Sequence, residues 1–199
     1  SRFGPSYSNM RLFQFTDDVS VVRGRHSLRL GADYRFYRLD TSRPQSPYGF
    51  YQFNGLTTFL RNTPASVELT LPGSDLDRRW KQSMAVVYLQ DDVRIGNRLT
   101  VNAGLRWERT SVPEELDGLS ANFRDPLVDA TPTVGPMYTN PSNGNIAPRV
   151  GLAWDPTGDG KTAVRAGAGV FYDPLWTDFY ANAGNRLGPF YVLGSVRNP

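Results

Sequence analysis

The sequence is short of several residue types, and each shortage excludes a class of protein. It contains no cysteine, which excludes a disulfide scaffold and a cysteine metal site. No run of apolar residues approaches a length of about 18, so we expect no transmembrane helix. His26 is the only histidine, so a Ser-His-Asp catalytic site would have to use it. Lysine occurs only at Lys81 and Lys161, so the basic charge is almost all arginine.

The charge is spread along the chain rather than gathered into a patch. The net charge of +3 and the isoelectric point near 9.3 could suggest nucleic acid as a partner. A basic footprint requires clustering, however, and these arginines alternate with Asp and Glu, so we expect no nucleic-acid binding. The mean hydropathy of −0.44 suits a soluble protein and equally a membrane barrel, in which half of each strand faces a polar lumen.

Alternation of apolar and polar residues predicts three β-hairpins, over about 12–38, 82–109 and 147–173. The clearest strand places five apolar residues on one face: Leu28, Leu30, Ala32, Tyr34 and Phe36. The segments 15–21 and 89–95 resemble each other, and an internal repeat of hairpins indicates an up-and-down sheet.

The connections alternate between short turns and long loops. The segments 41–80, 110–146 and 174–190 are long, and the first two are rich in Pro, Gly, Ser, Thr and Asn. Long loops without structure are unusual inside a compact soluble domain. Short turns on one side and long loops on the other are typical of outer-membrane barrels. We therefore predict an all-β fold: an antiparallel up-and-down transmembrane β-barrel segment of about six strands with long extracellular loops. A short helical turn is expected at 56–62.

A strand of about ten residues, tilted by about 45°, spans about 23 Å, which is close to the apolar band of such barrels. Trp107, Trp154 and Tyr172 are expected near the loop-side ends of their strands, as an aromatic girdle. Asp17 and Asp91 conflict with the pattern, because they share the parity of their apolar neighbours. Either those strand ends project from the hydrocarbon, or a β-bulge reverses the parity. A soluble β-sandwich, whose strands also alternate, is the alternative fold.

Few residues could carry chemistry, and we predict no catalytic, cofactor or metal site. The segment 158–162 ends like a phosphate-binding loop, but Asp155 stands where the first glycine belongs, and a strand follows where a helix is required. The same turn faintly resembles a calcium loop, but Ala166 stands where that loop needs Glu. His26 is expected to be a polar residue beside a turn.

Ligand recognition would be expected in the long loops, which carry many acids and aromatics. The sequence does not single out any of these residues as a ligand contact, because such side chains are more often solvated or packed locally. The acids are Asp75, Asp77, Glu114, Glu115, Asp117, Asp125 and Asp129, and the aromatics are Tyr48, Phe50, Tyr51, Phe53, Phe123, Tyr138, Trp176, Phe179 and Tyr180.

Several segments, taken in order, resemble the family of TonB-dependent receptors. Residues 88–108 are similar to its hairpin Y-x-Q-D-x-W-R…L-T-x-N-x-G-L-R-Y/W-E, with Val93 where the family often has Trp. Residues 145–155 resemble its strand N-x-x-P-R-x-G-x-A-Y/W-D, and residues 160–173 resemble the strand that follows. Residues 24–35 resemble an earlier hairpin, and 50–64 resemble a loop of the Oar-like subgroup.

The resemblance implies a receptor of the bacterial outer membrane that takes up an unknown extracellular ligand through a plugged barrel of about 22 strands. The implied partners are outer-membrane lipid and the TonB complex, the latter through regions of the parent outside this chain. Six strands cannot close such a barrel, and the chain starts and stops in mid-pattern. We therefore expect a fragment of a longer protein that is not an enzyme. A passive porin-like barrel and a soluble β-sandwich binding module are the alternatives.

Overall fold

The computed structural model describes residues 4–175, 177–197 and 199. Its elements in chain order are β1 (Tyr7–Arg23), β2 (His26–Ser42), β3 (Phe50–Gln52), α1 (Leu56–Leu60), β4 (Ser66–Thr70), β5 (Asp77–Ile95), β6 (Leu99–Thr110), β7 (Glu114–Glu115), β8 (Ala121–Asn122), β9 (Thr133–Val134), β10 (Ser142–Trp154), β11 (Val164–Gly169), α2 (Thr177–Gly184) and β12 (Leu193–Arg197). Neither helix is long and apolar enough to cross a membrane, within the part of the chain described.

Six long strands form the main sheet in the order β1-β2-β5-β6-β10-β11, and β7 pairs with part of β5. All of these pairings are antiparallel. The prediction of about six antiparallel strands in three hairpins is therefore confirmed. Gly24 (φ 61°) opens the first tight turn and Gly96 (φ 67°) opens the second, and glycine adopts this left-handed conformation without steric cost.

The register gives the main sheet one apolar and one polar face across its whole width. Directly paired residues of antiparallel strands lie on the same face. One apolar row runs through Val19, Leu30, Leu89 and Leu105, and these side chains are 50–57% exposed. A soluble sandwich would cover this face with a second layer, whereas a lipid-facing surface leaves it open.

The same register excludes a β-bulge at the two aspartates, which was one of the two explanations considered for their parity. Asp17 pairs with Ala32, and Asp91 pairs with both Leu28 and Ala103, without a shift in any of the three ladders. Both aspartates therefore lie on the apolar face. The register shift recorded in the main sheet lies between Ser142 and Asn145 of β10.

The third hairpin departs from its predicted extent, because β11 ends at Gly169 rather than near residue 173. The carbonyl of Pro148 still accepts the N–H of Val170, at 2.9 Å. Pro148 has no N–H that could donate to the segment after β11, so the ladder lacks one backbone hydrogen bond at this position. The chain then leaves the sheet edge, and the Tyr172 hydroxyl donates to the carbonyl of Ile146 at 3.3 Å.

The prediction for Trp154 is wrong. Trp154 is the last residue of β10 and pairs with Leu99 and Val164, beside the short turns. Because β10 runs from the loop side towards the turn side, its final residue lies at the end opposite the long loops. Trp107 lies towards the loop side, as predicted, since β6 runs in the other direction.

The long loops contain more structure than the sequence predicted. β12, β4 and β3 form a separate three-stranded sheet, and β8 pairs with β9. The expected helical turn at 56–62 is present as α1, Leu56–Leu60. β12 begins at Leu193 and pairs with β4 in the loop sheet.

Candidate functional site

Polar side chains on the main sheet are hydrogen-bonded to one another across the strands. Asp33 on β2 accepts from the amide of Gln14 on β1, at 2.7 Å, and from the guanidinium of Arg35, at 2.9 Å. The Tyr88 hydroxyl on β5 donates to Asp18 on β1, at 2.8 Å. Such charge-assisted pairs satisfy the polar groups of this face while the apolar groups remain on the other.

A small hydrophobic core lies at the loop-side end of the polar face. It consists of Leu39, Trp80, Tyr180 and Ala181, which are at most 2% exposed. The rings of Trp80 and Tyr180 lie 5.3 Å apart with an interplanar angle of 53°. A Cβ atom at Gly184 would overlap the indole of Trp80, so glycine is required for this close approach. Through this core α2 packs onto the polar face of the sheet.

Several buried polar groups surround the same core. Arg78 is fully buried and donates to the carbonyls of Asp75 and Asp77, at 3.1 and 2.6 Å. Asn185 donates to the carbonyl of Thr41 at 3.3 Å. Burial raises the pKa of Tyr180, whose hydroxyl has no hydrogen-bond partner within the part of the chain that is described. The packing of α2 thus carries an uncompensated polar cost.

An open recess lies between the polar face and the segment that leads from β11 to α2. It comprises one cavity of about 330 Å³ and an adjoining one of about 160 Å³. Both cavities are lined by Gln82, Glu108, Thr110, Tyr172, Pro174 and Leu175. A molecule that entered between the loops would meet an apolar segment on one side and hydrogen-bonding side chains on the other. This mixture is typical of small-molecule sites.

The predicted loop acids mostly stabilise the loops themselves. Glu115 accepts the backbone N–H groups of Arg79 and Leu119, at 3.2 and 2.6 Å. Asp117 forms an ion pair and two hydrogen bonds with Arg79, and this contact lowers the pKa of Asp117. Asp129 accepts the N–H of Arg124 at 2.8 Å. These carboxylates therefore do not form one shared ligand site.

The predicted loop aromatics are divided between buried and exposed positions. Tyr180 belongs to the loop-side core. Tyr138 packs against this core, and burial raises its pKa. Tyr48 and Phe179 are 81% and 70% exposed. Trp176 lies outside the described residues.

His26 lies at the short-turn end of the sheet, far from the recess. Its Nδ1 atom is 2.6 Å from Oδ2 of Asp91. His26 pairs with Val93 in the ladder and therefore lies on the apolar face. Within the described residues, no group of three or more histidine, aspartate or glutamate side chains could hold a metal ion.

The segment that resembled a phosphate or calcium loop is an aspartate-stabilised turn. Asp155 accepts the N–H groups of Gly158 and Gly160, at 2.7 and 2.9 Å. These bonds, the one from Gly158 first, lower the pKa of Asp155. The hydroxyl of Thr157 donates to Asp159 at 2.6 Å. Both carboxylates are thus occupied by groups of their own turn.

Sequence reasoning missed the recess and the docking of α2, which depend on contacts between distant segments. The apolar and polar faces, the short turns and the separate loop structure are together the features of a barrel wall. A family model described as an outer membrane beta barrel domain matches residues 1–199. No curated protein and no solved structure matched the chain.

Proposed function

Since the chain belongs to the outer membrane β-barrel domain family and lies in the bacterial outer membrane, we propose that it is part of the wall of a TonB-dependent uptake receptor. The apolar face contacts lipid, and the polar face lines the lumen. The partners of the parent protein are outer-membrane lipid, the TonB complex and an extracellular ligand. We also propose that the chain is not an enzyme, and the pairing of its only histidine with Asp91 on the lipid side, away from the recess, supports this proposal.

The packing of α2 on the polar face is the observation that favours a receptor. Tyr180 and Ala181 are buried against Leu39 and Trp80, so a loop segment covers the lumen side at the extracellular end. A ligand receptor needs such a shaped surface beneath its loops, whereas a wide passive pore needs a clear passage. The resemblance of residues 88–108 and 145–173 to TonB-dependent receptors supports the same function.

The first experiment asks whether the full-length protein that contains this chain is a closed receptor. It is expressed in a Gram-negative host, recovered from the outer-membrane fraction, checked for heat-modifiable gel mobility and inserted into a planar lipid bilayer. A plugged receptor is expected to show no stable conductance. A variant without residues 174–190 is expected to remain closed as well, because the plug and not α2 blocks the lumen.

A passive porin would give the opposite result in both samples. The intact protein would conduct steadily, and deletion of 174–190 would increase the conductance by removing a constriction. That outcome would replace the receptor with the porin-like alternative. Recovery from the soluble fraction would instead contradict the lipid-facing assignment of the apolar face and restore the soluble binding module.

A further inference from the structure

The short-turn half of the polar face carries arginines at its margins and glycines between them. Three successive rows of paired residues make up this region. The first row contains Arg29, Gln90, Gly104 and Arg149, the second contains Asp92, Asn102, Gly151 and Gly167, and the third contains Arg94, Thr100, Ala153 and Arg165. We refer to these twelve positions, with Arg98 and Arg106 beside them, as the arginine recess.

Two cavities occupy the arginine recess. A cavity of about 310 Å³ is bordered by Arg29, Arg106 and Arg149. Another, of about 430 Å³, is bordered by Arg94, Arg98 and Arg165.

Packing does not demand the glycines of the arginine recess, and one of them, Gly104, lines the first cavity. A Cβ atom at Gly104 would meet its nearest neighbour at 3.4 Å, and one at Gly151 at 3.6 Å, which are ordinary contact distances. Neither glycine has a positive φ angle. The sheet could therefore carry side chains at both positions, and glycine instead leaves open space above the backbone.

The positive charge of the arginine recess is only partly compensated. Among the described residues, the side chains of Arg29, Arg94 and Arg165 take part in no ion pair. The carboxylate of the middle row, Asp92, already accepts from Asn102 and Gln90. Several like charges around a low-dielectric wall raise the local concentration of anions.

Two further arginines are already partly engaged. Arg106 is paired with Glu108. Arg149 lies over the ring of Phe171, at 4.7 Å from its centroid. The cation–π contact orients Arg149 without neutralising it, so its guanidinium retains its full charge.

We propose that the arginine recess binds a small ligand that carries two or more oxyanion groups, either phosphates or carboxylates. Arginine holds both groups with two parallel hydrogen bonds. Arg29 and Arg149 are three strand spacings apart, about 14 Å, so each can hold one end of a ligand whose body lies over Gly104. The inference rests on the proposed function only in that the polar face lines the lumen, since binding requires no TonB.

The test uses isothermal titration of the full-length protein in detergent with pyrophosphate and, separately, with citrate. Saturable binding is expected, and the double variant Arg29→Gln/Arg149→Gln is expected to weaken it about ten- to hundredfold. Gly104→Leu should weaken binding comparably without changing the charge, because its side chain would occupy the first cavity. Arg61→Gln, at an exposed arginine of the long loop, is the matched control and should bind like the wild type.

Each outcome bears directly on the proposal. Binding of pyrophosphate alone assigns phosphate ligands, and binding of citrate alone assigns carboxylates. No saturable binding of either anion, or an equal loss in Arg61→Gln, overturns the proposal. Binding of only an oligoglutamate peptide also overturns it and assigns the surface to an acidic protein segment.

Two controls separate binding from folding and from transport. Heat-modifiable mobility shows whether each variant is folded, and Arg29→Lys/Arg149→Lys should restore only part of the affinity, because lysine restores the charge without the two parallel hydrogen bonds. If the glutamine variant does not fold, Gly104→Leu decides the question alone. A conducting barrel that still binds pyrophosphate would refute the receptor function while leaving the anion site intact.

Discussion

Replacement of Trp80 by alanine is expected to release α2 from the sheet. Trp80 is fully buried and packs against Leu39, Tyr180 and Ala181. A tryptophan-to-alanine change in a packed core costs about 3–5 kcal/mol. The backbone of Trp80 remains paired within the sheet, so most of this loss falls on the docking of α2. At about 1.4 kcal/mol for each factor of ten, even 3 kcal/mol raises the undocked population about a hundredfold.

Limited proteolysis reports this population. Arg186 lies two residues after the end of α2 and is half-buried, so trypsin needs the undocked state to cleave after it. When reclosing is faster than cleavage, the cleavage rate follows the equilibrium fraction that is open. Trp80→Ala is therefore expected to accelerate cleavage at Arg186 about a hundredfold, up to the rate of a fully exposed site.

Two matched variants test whether faster cleavage at Arg186 reflects a general loss of structure. Trp107→Ala removes a tryptophan from the apolar face and should leave cleavage at Arg186 unchanged. Tyr180→Phe removes a buried hydroxyl that has no partner in the described residues, so cleavage should be unchanged or slower. An unchanged rate in Trp80→Ala, with heat-modifiable mobility retained, would refute the docking of α2 on this core.

Two other predictions concern the faces of the sheet and the third hairpin turn. Leu89→Arg is expected to destabilise the folded barrel in lipid vesicles by about 2–4 kcal/mol, whereas Gln90→Arg on the polar face should change it little; similar unfolding midpoints for both would contradict the face assignment. The bonds from Gly158 and Gly160 lower the pKa of Asp155 in the folded protein. The stabilisation that they give the turn is therefore fully present above the pKa of Asp155 in the unfolded chain, about 3.9, and is lost as the pH falls through the folded pKa. Cleavage of this turn by an acid-active protease should therefore accelerate as the pH falls. In Asp155→Ala, cleavage should be fast at every pH, so the pH dependence should disappear.

The faces of the long strands could be predicted from sequence because alternation is a local property. Leu28 and Leu30 share a face whatever lies beside them, and the register confirms this assignment across the sheet. The end of the sheet at which a residue lies depends instead on strand direction. For this reason Trp154 was predicted at the wrong end of its strand, although it was assigned to the correct face.

The loop structure escaped prediction for two physical reasons. Strands such as β8 and β9 contain two residues each, too few to show a period of two. The core that holds α2 joins Trp80 to Tyr180, which lie a hundred residues apart, and no local pattern marks such a pair. Gly184, which permits their close approach, resembles any other loop glycine until the indole is seen against it.

The position of Asp91 on the lipid-facing side can be explained only when the alternation of residues and the register of the strands are considered together. Asp91 lies four residues before the end of β5, about 13 Å along the strand and about 9 Å along the membrane normal at a tilt of 45°. If the strand end marks the edge of an apolar band about 25 Å tall, this depth is nearer the middle of the band than its edge, so an unpaired carboxylate there would cost more than the about 0–1 kcal/mol of an interfacial charge. His26, the first residue of β2 in the neighbouring hairpin, pairs with the carboxylate and offsets much of that cost. The only histidine of the chain is therefore best understood as a partner that lets an acid remain on the lipid side of the barrel.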